Sequence, residues 1–166
     1  MSGTGASGEQ IYSCTFYFDA SALVKRYVAE IGTAWVAALC ADEDNHAIAM
    51  AHIGLVETAA AFAMKRRGNF IASEVYDNAL ADLIRDAQVR YQLVAVSPAV
   101  IDNAIQLTRR HKLRGYDAVH LACALAVNAP LVNNGMPPLT FVCADNELLA
   151  AATFEGLATD NPNNHS

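Results

Sequence analysis

The stretch Thr15–Tyr27, TFYFDASALVKRY, decides the fold. An aromatic, β-prone run stops at Asp19, and an apolar pattern compatible with a helix starts directly after it. The reading is a buried strand, a carboxylate at its C-terminal end, and then a helix. Open α/β sheets bind ligands in the crevice outside the carboxyl ends of their strands. Asp19 therefore has two readings: a residue at the mouth of such a crevice, or simply the N-cap of the next helix, a position that favours Asp.

Working outward, Ala20–Tyr27 and Gly32–Cys40 read as short helices, with a polar turn at Asp42–Asn45 and a second strand at Ala47–Met50. A helix from Ile53 to Arg67 follows, closed by Gly68. Ser73 is placed as the N-cap of a helix whose apolar pairs are Val75/Tyr76, Ala79/Leu80 and Leu83/Ile84. Gln92–Val96 is β-prone, and Ser97-Pro98 opens a helix to His111 with Ile101, Ala104, Ile105 and Thr108 on one face. Ala118–Val127 is apolar on every side, as a helix buried between layers is. Asn128–Pro138 has the composition of a loop. Leu139–Cys143 is a strand run, Asn146–Thr153 a helix, and Leu157–Thr159 a last edge strand. Strands alternating with helices predict βαβ units, a mainly parallel sheet and helices on both faces. The expected layout is one domain over residues 14–160, with a disordered lead at 1–13 and a disordered tail at 161–166.

Composition narrows the function. The net charge of −6 argues against a large generic nucleic-acid surface. The cations are nevertheless clustered: Lys25-Arg26, Lys65-Arg66-Arg67, and Arg109-Arg110 with Lys112 and Arg114. Each cluster reads either as a solvated helix C-terminus or as a contact for a phosphate backbone. The four cysteines form no C-x-x-C pair, so a zinc site is not expected; Cys123 and Cys143 read as small buried hydrophobes. No basic, apolar leader opens the chain and no run of 18 apolar residues is unbroken, so a cytoplasmic chain without a membrane span is expected. Hydrophobic residues make up 54% of the chain, which suggests a surface for a partner or a second copy.

Four acids stand out. Asp19 and Asp145 each follow a strand and precede a helix. Asp117 lies in the first turn of the all-apolar helix, where the helix dipole favours a carboxylate. Glu57 falls among Ile53, Val56, Ala60, Ala61 and Met64, as if facing a core, and a charge there is rare unless paired or bound to a metal. The bland reading is an edge position from which Glu57 snorkels to water. His120, three residues after Asp117, reads as a hydrogen-bonded structural residue rather than a ligand. Gathered together, four carboxylates raise one another's pKa or demand a cation. Oxygen-only donors point to Mg²⁺ or Mn²⁺, and such ions on carboxylates suit phosphodiester hydrolysis.

The segments FDASALVKRY (18–27), HIGLVETAAAF (52–62), LRGYDAVHLACAL (113–125) and FVCADNELLAAA (141–152) resemble, in order, the four acidic motifs of PIN-domain nucleases. Within that family the likeness is to the VapC toxins of VapBC toxin–antitoxin pairs, and it runs from about Thr15 to Gly156. The resemblance implies a three-layer α/β/α sandwich and cleavage of RNA with Mg²⁺ or Mn²⁺. It also implies a homodimer and an antitoxin that blocks the groove. It makes Asp19, Glu57, Asp117 and Asp145 the metal-site acids, supported by Ser21. Lys25, Arg26, Arg110, Lys112 and Arg114 are the candidate RNA contacts. Two alternatives stand beside it. A phosphatase with an aspartate nucleophile wants a second aspartate where this chain has Ser21. A non-catalytic scaffold that binds RNA or a protein has no need of a repulsive acidic pocket.

Overall fold

The structure, a computed structural model, describes residues 12–165. Five parallel strands form one sheet in the order β3-β2-β1-β4-β5, with β1 (Cys14–Phe18) at its centre. The others are β2 (His46–Ala51), β3 (Tyr91–Val94), β4 (Thr140–Val142) and β5 (Ala158–Asp160). Side chains alternate along each strand and separate two cores. Tyr17, Ala49, Ala51 and Phe141 face one core, with α5 (Pro98–Arg110), α6 (Gly115–Asn133) and α7 (Asn146–Phe154). Phe18, Ile48, Met50 and Val142 face the other, with α1 (Ala20–Tyr27), α2 (Thr33–Ala41), α3 (Gly54–Arg67) and α4 (Ser73–Val89). This is the α/β sandwich with helices on both faces that the strand–helix alternation predicts.

The order of the strands places the crevice. β1 is followed by β2 on one side, whereas β4 pairs on the other side of β1. The direction of winding therefore reverses between β1 and β4, where doubly wound sheets open a crevice at their carboxyl edge.

The structure corrects several expectations. Only the second part of the predicted loop Asn128–Pro138 is one: α6 continues through Pro130 to Asn133, and residues 134–138 are turn and coil. The helix ends where Gly135, at φ 70°, sends its N–H to the Val132 carbonyl while Met136 N–H reaches Leu131. Asn128 faces inward enough to accept the Leu139 N–H at 2.9 Å. The buried line of α3 is Gly54, Thr58 and Phe62, whereas Val56 and Met64 are exposed. Thr58 tolerates burial because its hydroxyl donates to the Gly54 carbonyl at 2.8 Å. On α5 the inner face is Val100, Ala104 and Leu107, leaving Ile101 and Ile105 exposed. Ala72, not Ser73, caps α4.

The tail is also ordered as far as residue 165. Asn161 and Pro162 are buried, Pro162–Asn164 form a 3-10 turn, and the His165 ring stacks on Trp35 at 4.0 Å. Polar composition there serves packing, since Asn161 hydrogen-bonds Asn146 and His165 pairs with Asp160. Most of the predicted disordered lead, residues 1–11, lies outside the described residues. Helix α6 is long and apolar enough to cross a membrane by length and composition alone. Its residues Leu121–Ala124 are instead packed in the core against the sheet.

Candidate active site

All four acids sit where a helix begins at the carboxyl edge of the sheet. Asp19 is the N-cap of α1 and accepts the Ala22 N–H at 3.0 Å. Asp145 caps α7 and accepts the N–H groups of Glu147 and Leu148. Asp117 is in the first turn of α6 and reaches back to the Arg114 N–H at 3.3 Å. Glu57 is in the first turn of α3. In parallel βαβ units the helices run back against the strands, so their N-termini gather on this one edge. The capping and functional readings are thus compatible for Asp19, Asp117 and Asp145, whose carboxylates are each held by a peptide N–H at a helix start, while Glu57 is held by His120.

Asp19 is the most enclosed of the four. Its Oδ1 takes the Ser21 hydroxyl at 2.7 Å, and its Oδ2 takes the Cys143 thiol at 3.1 Å. Burial raises its pKa, opposed by the Ser21 hydrogen bond, by His120, by the Cys143 thiol and by the Ala22 N–H. Burial also raises the pKa of Asp117; the Arg114 N–H pulls it down, and the negative charges of Asp145 and Asp19 push it up. Asp19, Asp117 and Asp145 therefore share one electrostatic neighbourhood. Among the described residues no Lys or Arg forms a salt bridge with any of the four acids.

Glu57 stands slightly apart, half-buried, with Oε2 2.5 Å from Nε2 of the buried His120. The His120 Nδ1 lies 3.0 Å from the Tyr17 hydroxyl, which also accepts the Ala51 N–H at 3.0 Å. The sequence reading of His120 as a hydrogen-bonded residue matches this geometry. Tyr17 and Cys143 were not singled out as neighbours of the acids. Strand alternation carried a signal for Tyr17, since it precedes Asp19 by two residues and shares its face.

The donor set is all carboxylate oxygen, which fits a hard divalent ion. Among the described residues no three acids yet converge as a closed ligand set. Each carboxylate is instead held by its own cap or partner.

The cation candidates divide. Lys25 is 4% exposed, with its ammonium on Glu30 at 3.1 Å and the Ile31 carbonyl at 2.9 Å, so it cannot reach RNA. Lys65 pairs with the same Glu30. Arg110 holds Glu155 through two N–H groups, at 3.0 and 3.1 Å, and its charge is matched. Arg26 is half-buried. Lys112 and Arg114 are exposed just ahead of Asp117.

Comparison with known proteins places this architecture. The family model described as the PIN domain matches residues 16–135. Two curated relatives from Mycobacterium tuberculosis, Ribonuclease VapC45 of strain CDC 1551 / Oshkosh and Ribonuclease VapC49 of strain ATCC 25618 / H37Rv, are each 38% identical over 117 residues. That is 69% of this chain and 77% of each relative. Among solved structures, VapBC2 from Rickettsia felis, bound to a DNA fragment from its promoter, superposes with a TM-score of 0.58 at 14% identity. It covers 89% of this chain and 98% of that one. A toxin–antitoxin complex from Klebsiella pneumoniae gives 0.56 at 14% identity, over 89% and 97%. At those identities the structures speak for the fold, and the family rests on the model match and the closer relatives. The chain belongs to the PIN-domain family.

Proposed function

We propose that the chain is a metal-dependent endoribonuclease of the VapC type, the toxin of a toxin–antitoxin pair. One observation carries the reading: Asp19, Asp117 and Asp145 stand at helix starts on the carboxyl edge of the sheet beside its switch point, and among the described residues none of them is salt-bridged to Lys or Arg. The 38% identity to curated ribonucleases supplies the reaction class. In this reading Asp19, Asp117 and Asp145 hold a Mg²⁺ or Mn²⁺ ion, and Glu57 either ligates it or orients the attacking water. When bound, the ion makes water nucleophilic and offsets charge on the phosphate and leaving oxygen.

The chain's own groups do the rest. Ser21 and Cys143 fix the Asp19 carboxylate, and the caps of α6 and α7 fix Asp117 and Asp145. Lys112 and Arg114, exposed beside α6, bind backbone phosphates. Ile53, Val56, Val96, Ile101, Tyr116 and Val119 line an open apolar groove of about 530 Å³. The four free cysteines suit the cytoplasm.

The test is cleavage of a mixed RNA pool by the purified chain with Mn²⁺, with Mg²⁺ and with EDTA, beside Asp19→Asn and Asp117→Asn. Metal-dependent cutting lost in both variants is the expected result. Cutting that survives EDTA, or that either variant retains at the parent rate, overturns the assignment.

A further inference from the structure

The buried Tyr17–His120 pair has no place in the acid set itself, yet it joins β1, α6, α3 and β4, the elements that carry an acid or lead directly to one. Tyr17 lies on β1, two residues before Asp19. His120 lies on α6, three residues after Asp117. The imidazole ends on Glu57 of α3, and the Tyr17 ring stacks on Phe141 of β4, the strand that leads to Asp145, at 5.4 Å and 6°. Tyr17 is 0% exposed and His120 3%.

The Tyr17 oxygen accepts the Ala51 N–H, which leaves its own proton available to His120 Nδ1, 3.0 Å away. An Nδ1 that accepts leaves the ring proton on Nε2, which donates to Glu57 Oε2. The chain of donors runs from the main chain of β2, through a phenol and an imidazole, to a carboxylate. The packing is shaped for it. A Cβ added at Gly54, one helical turn before Glu57, would stand 3.1 Å from His120 Cε1 and 3.0 Å from Met50 Cε. Glycine there lets α3 lie close against the imidazole.

We infer that Tyr17 and His120 are positioning residues: their hydrogen-bond chain clamps Oε2 of Glu57 at a set place relative to Asp117, leaving the other carboxylate oxygen to face the ion. The inference rests on the place given to Glu57 in the proposed function. Partners that orient a metal-site carboxylate affect binding as well as turnover, and their removal commonly costs about 10- to 100-fold in metal affinity or activity.

The experiment measures Mn²⁺ affinity by electron paramagnetic resonance, without RNA, for the parent, His120→Gln, His120→Phe, Tyr17→Phe, Glu57→Gln and Asp19→Asn. Circular dichroism and melting report the fold of each. His120→Phe, which has no donor for Glu57, is expected to weaken Mn²⁺ binding by about 10-fold or more, and His120→Gln, which keeps an N–H, to recover most of it. Nitrogen-15 spectra of the metal-free parent are expected to show the Nε2–H tautomer, lost or mixed in Tyr17→Phe. If His120→Phe binds Mn²⁺ as the parent does, or His120→Gln is equally impaired, the positioning role is wrong. If His120→Phe does not fold, Tyr17→Phe decides: unchanged tautomer and Mn²⁺ affinity overturn the role, and a changed tautomer with weaker binding supports it. If Glu57→Gln and Asp19→Asn both bind Mn²⁺ like the parent, the acid-site reading itself falls, and the positioning role with it.

Discussion

Ser21 donates its hydroxyl proton to Asp19 Oδ1 at 2.7 Å while accepting the Ala144 N–H at 2.9 Å. One side chain thereby ties the end of β1 to the turn after β4, across the crevice. Ser21→Ala removes both bonds and leaves the Ala144 N–H without that partner. The expected cost is about 1–3 kcal/mol by urea unfolding, together with reduced RNA cleavage. Ser21→Thr keeps the hydroxyl and is expected to retain most of both. Equal loss in the two variants would mean that space, not the hydroxyl, matters at this position.

Asp117 makes a prediction with a definite sign. Burial, with the charges of Asp145 and Asp19, raises its pKa above the ordinary 3.8. The folded chain then holds this proton more tightly than the unfolded chain does. Ionising Asp117 therefore costs stability. The cost is absent below the ordinary value and is complete once the pH passes the raised folded value. Asp117→Asn, which still accepts the Arg114 N–H, is expected to melt higher than the metal-free parent at neutral pH. The gap should close as the pH falls below the ordinary carboxylate range. Mn²⁺ should raise the melting temperature of the parent and much less that of the variant. A variant that melts below the parent at neutral pH would sink the idea of a strained carboxylate.

Gly32 occupies the left-handed region at φ 86°, and a Cβ there would stand 2.2 Å from the Pro162 carbonyl oxygen. Gly32→Ala combines backbone strain of about 1–2 kcal/mol with a clash against main chain. The expected outcome is a lower melting temperature and faster amide exchange in both α2 and the Pro162–Asn164 turn. Unchanged exchange in the turn would show that the tail is not seated on α2.

Cys143 places its thiol between Asp19 and the Asp145 N–H, and burial pushes its pKa well up, so it stays a protonated donor. Of the four thiols only Cys14 is exposed among the described residues. A thiol reagent is expected to label one cysteine quickly in the native chain and four after denaturation. Cys143→Ser, with a hydroxyl in the same place, should cut RNA; Cys143→Val should lose cleavage and about 1–2 kcal/mol of stability. A Val variant as active as the parent would remove Cys143 from the support of Asp19.

The parts of the fold that were legible in the sequence were those where one residue type answers one local demand. Asp19 and Asp145 each follow a β-prone run and precede a helix, and the structure uses both as caps. Helix faces were harder to read. On α3 the polar Thr58 is buried because its own helix satisfies its hydroxyl, while Val56 and Met64 face out. Hydrophobicity alone therefore selects the wrong stripe. Asn128–Pro138 read as a loop by composition, yet α6 carries Pro130 within it and runs on to Asn133, with the Asn134 N–H closing on the Pro130 carbonyl. Lys25 read as a free cation because Glu30, its partner, lies beyond the end of α1 in a turn whose shape only the fold provides. The reach of Tyr17 and His120 to Glu57 joins residues 103 and 63 positions apart, and no local pattern reports such distances.

β1 is the middle strand, and its second neighbour, β4, follows it only after β2, β3 and six helices. Until β4 arrives, β1 has one bare edge, Asp145 is absent, and Ser21 has no Ala144 to hold. A chain growing from its N-terminus thus carries three of its four acids with the crevice still unwalled on one side. The acid-bearing edge closes only when β4 docks on β1, and a chain cut before residue 140 lacks both Asp145 and the Ala144 N–H that Ser21 holds.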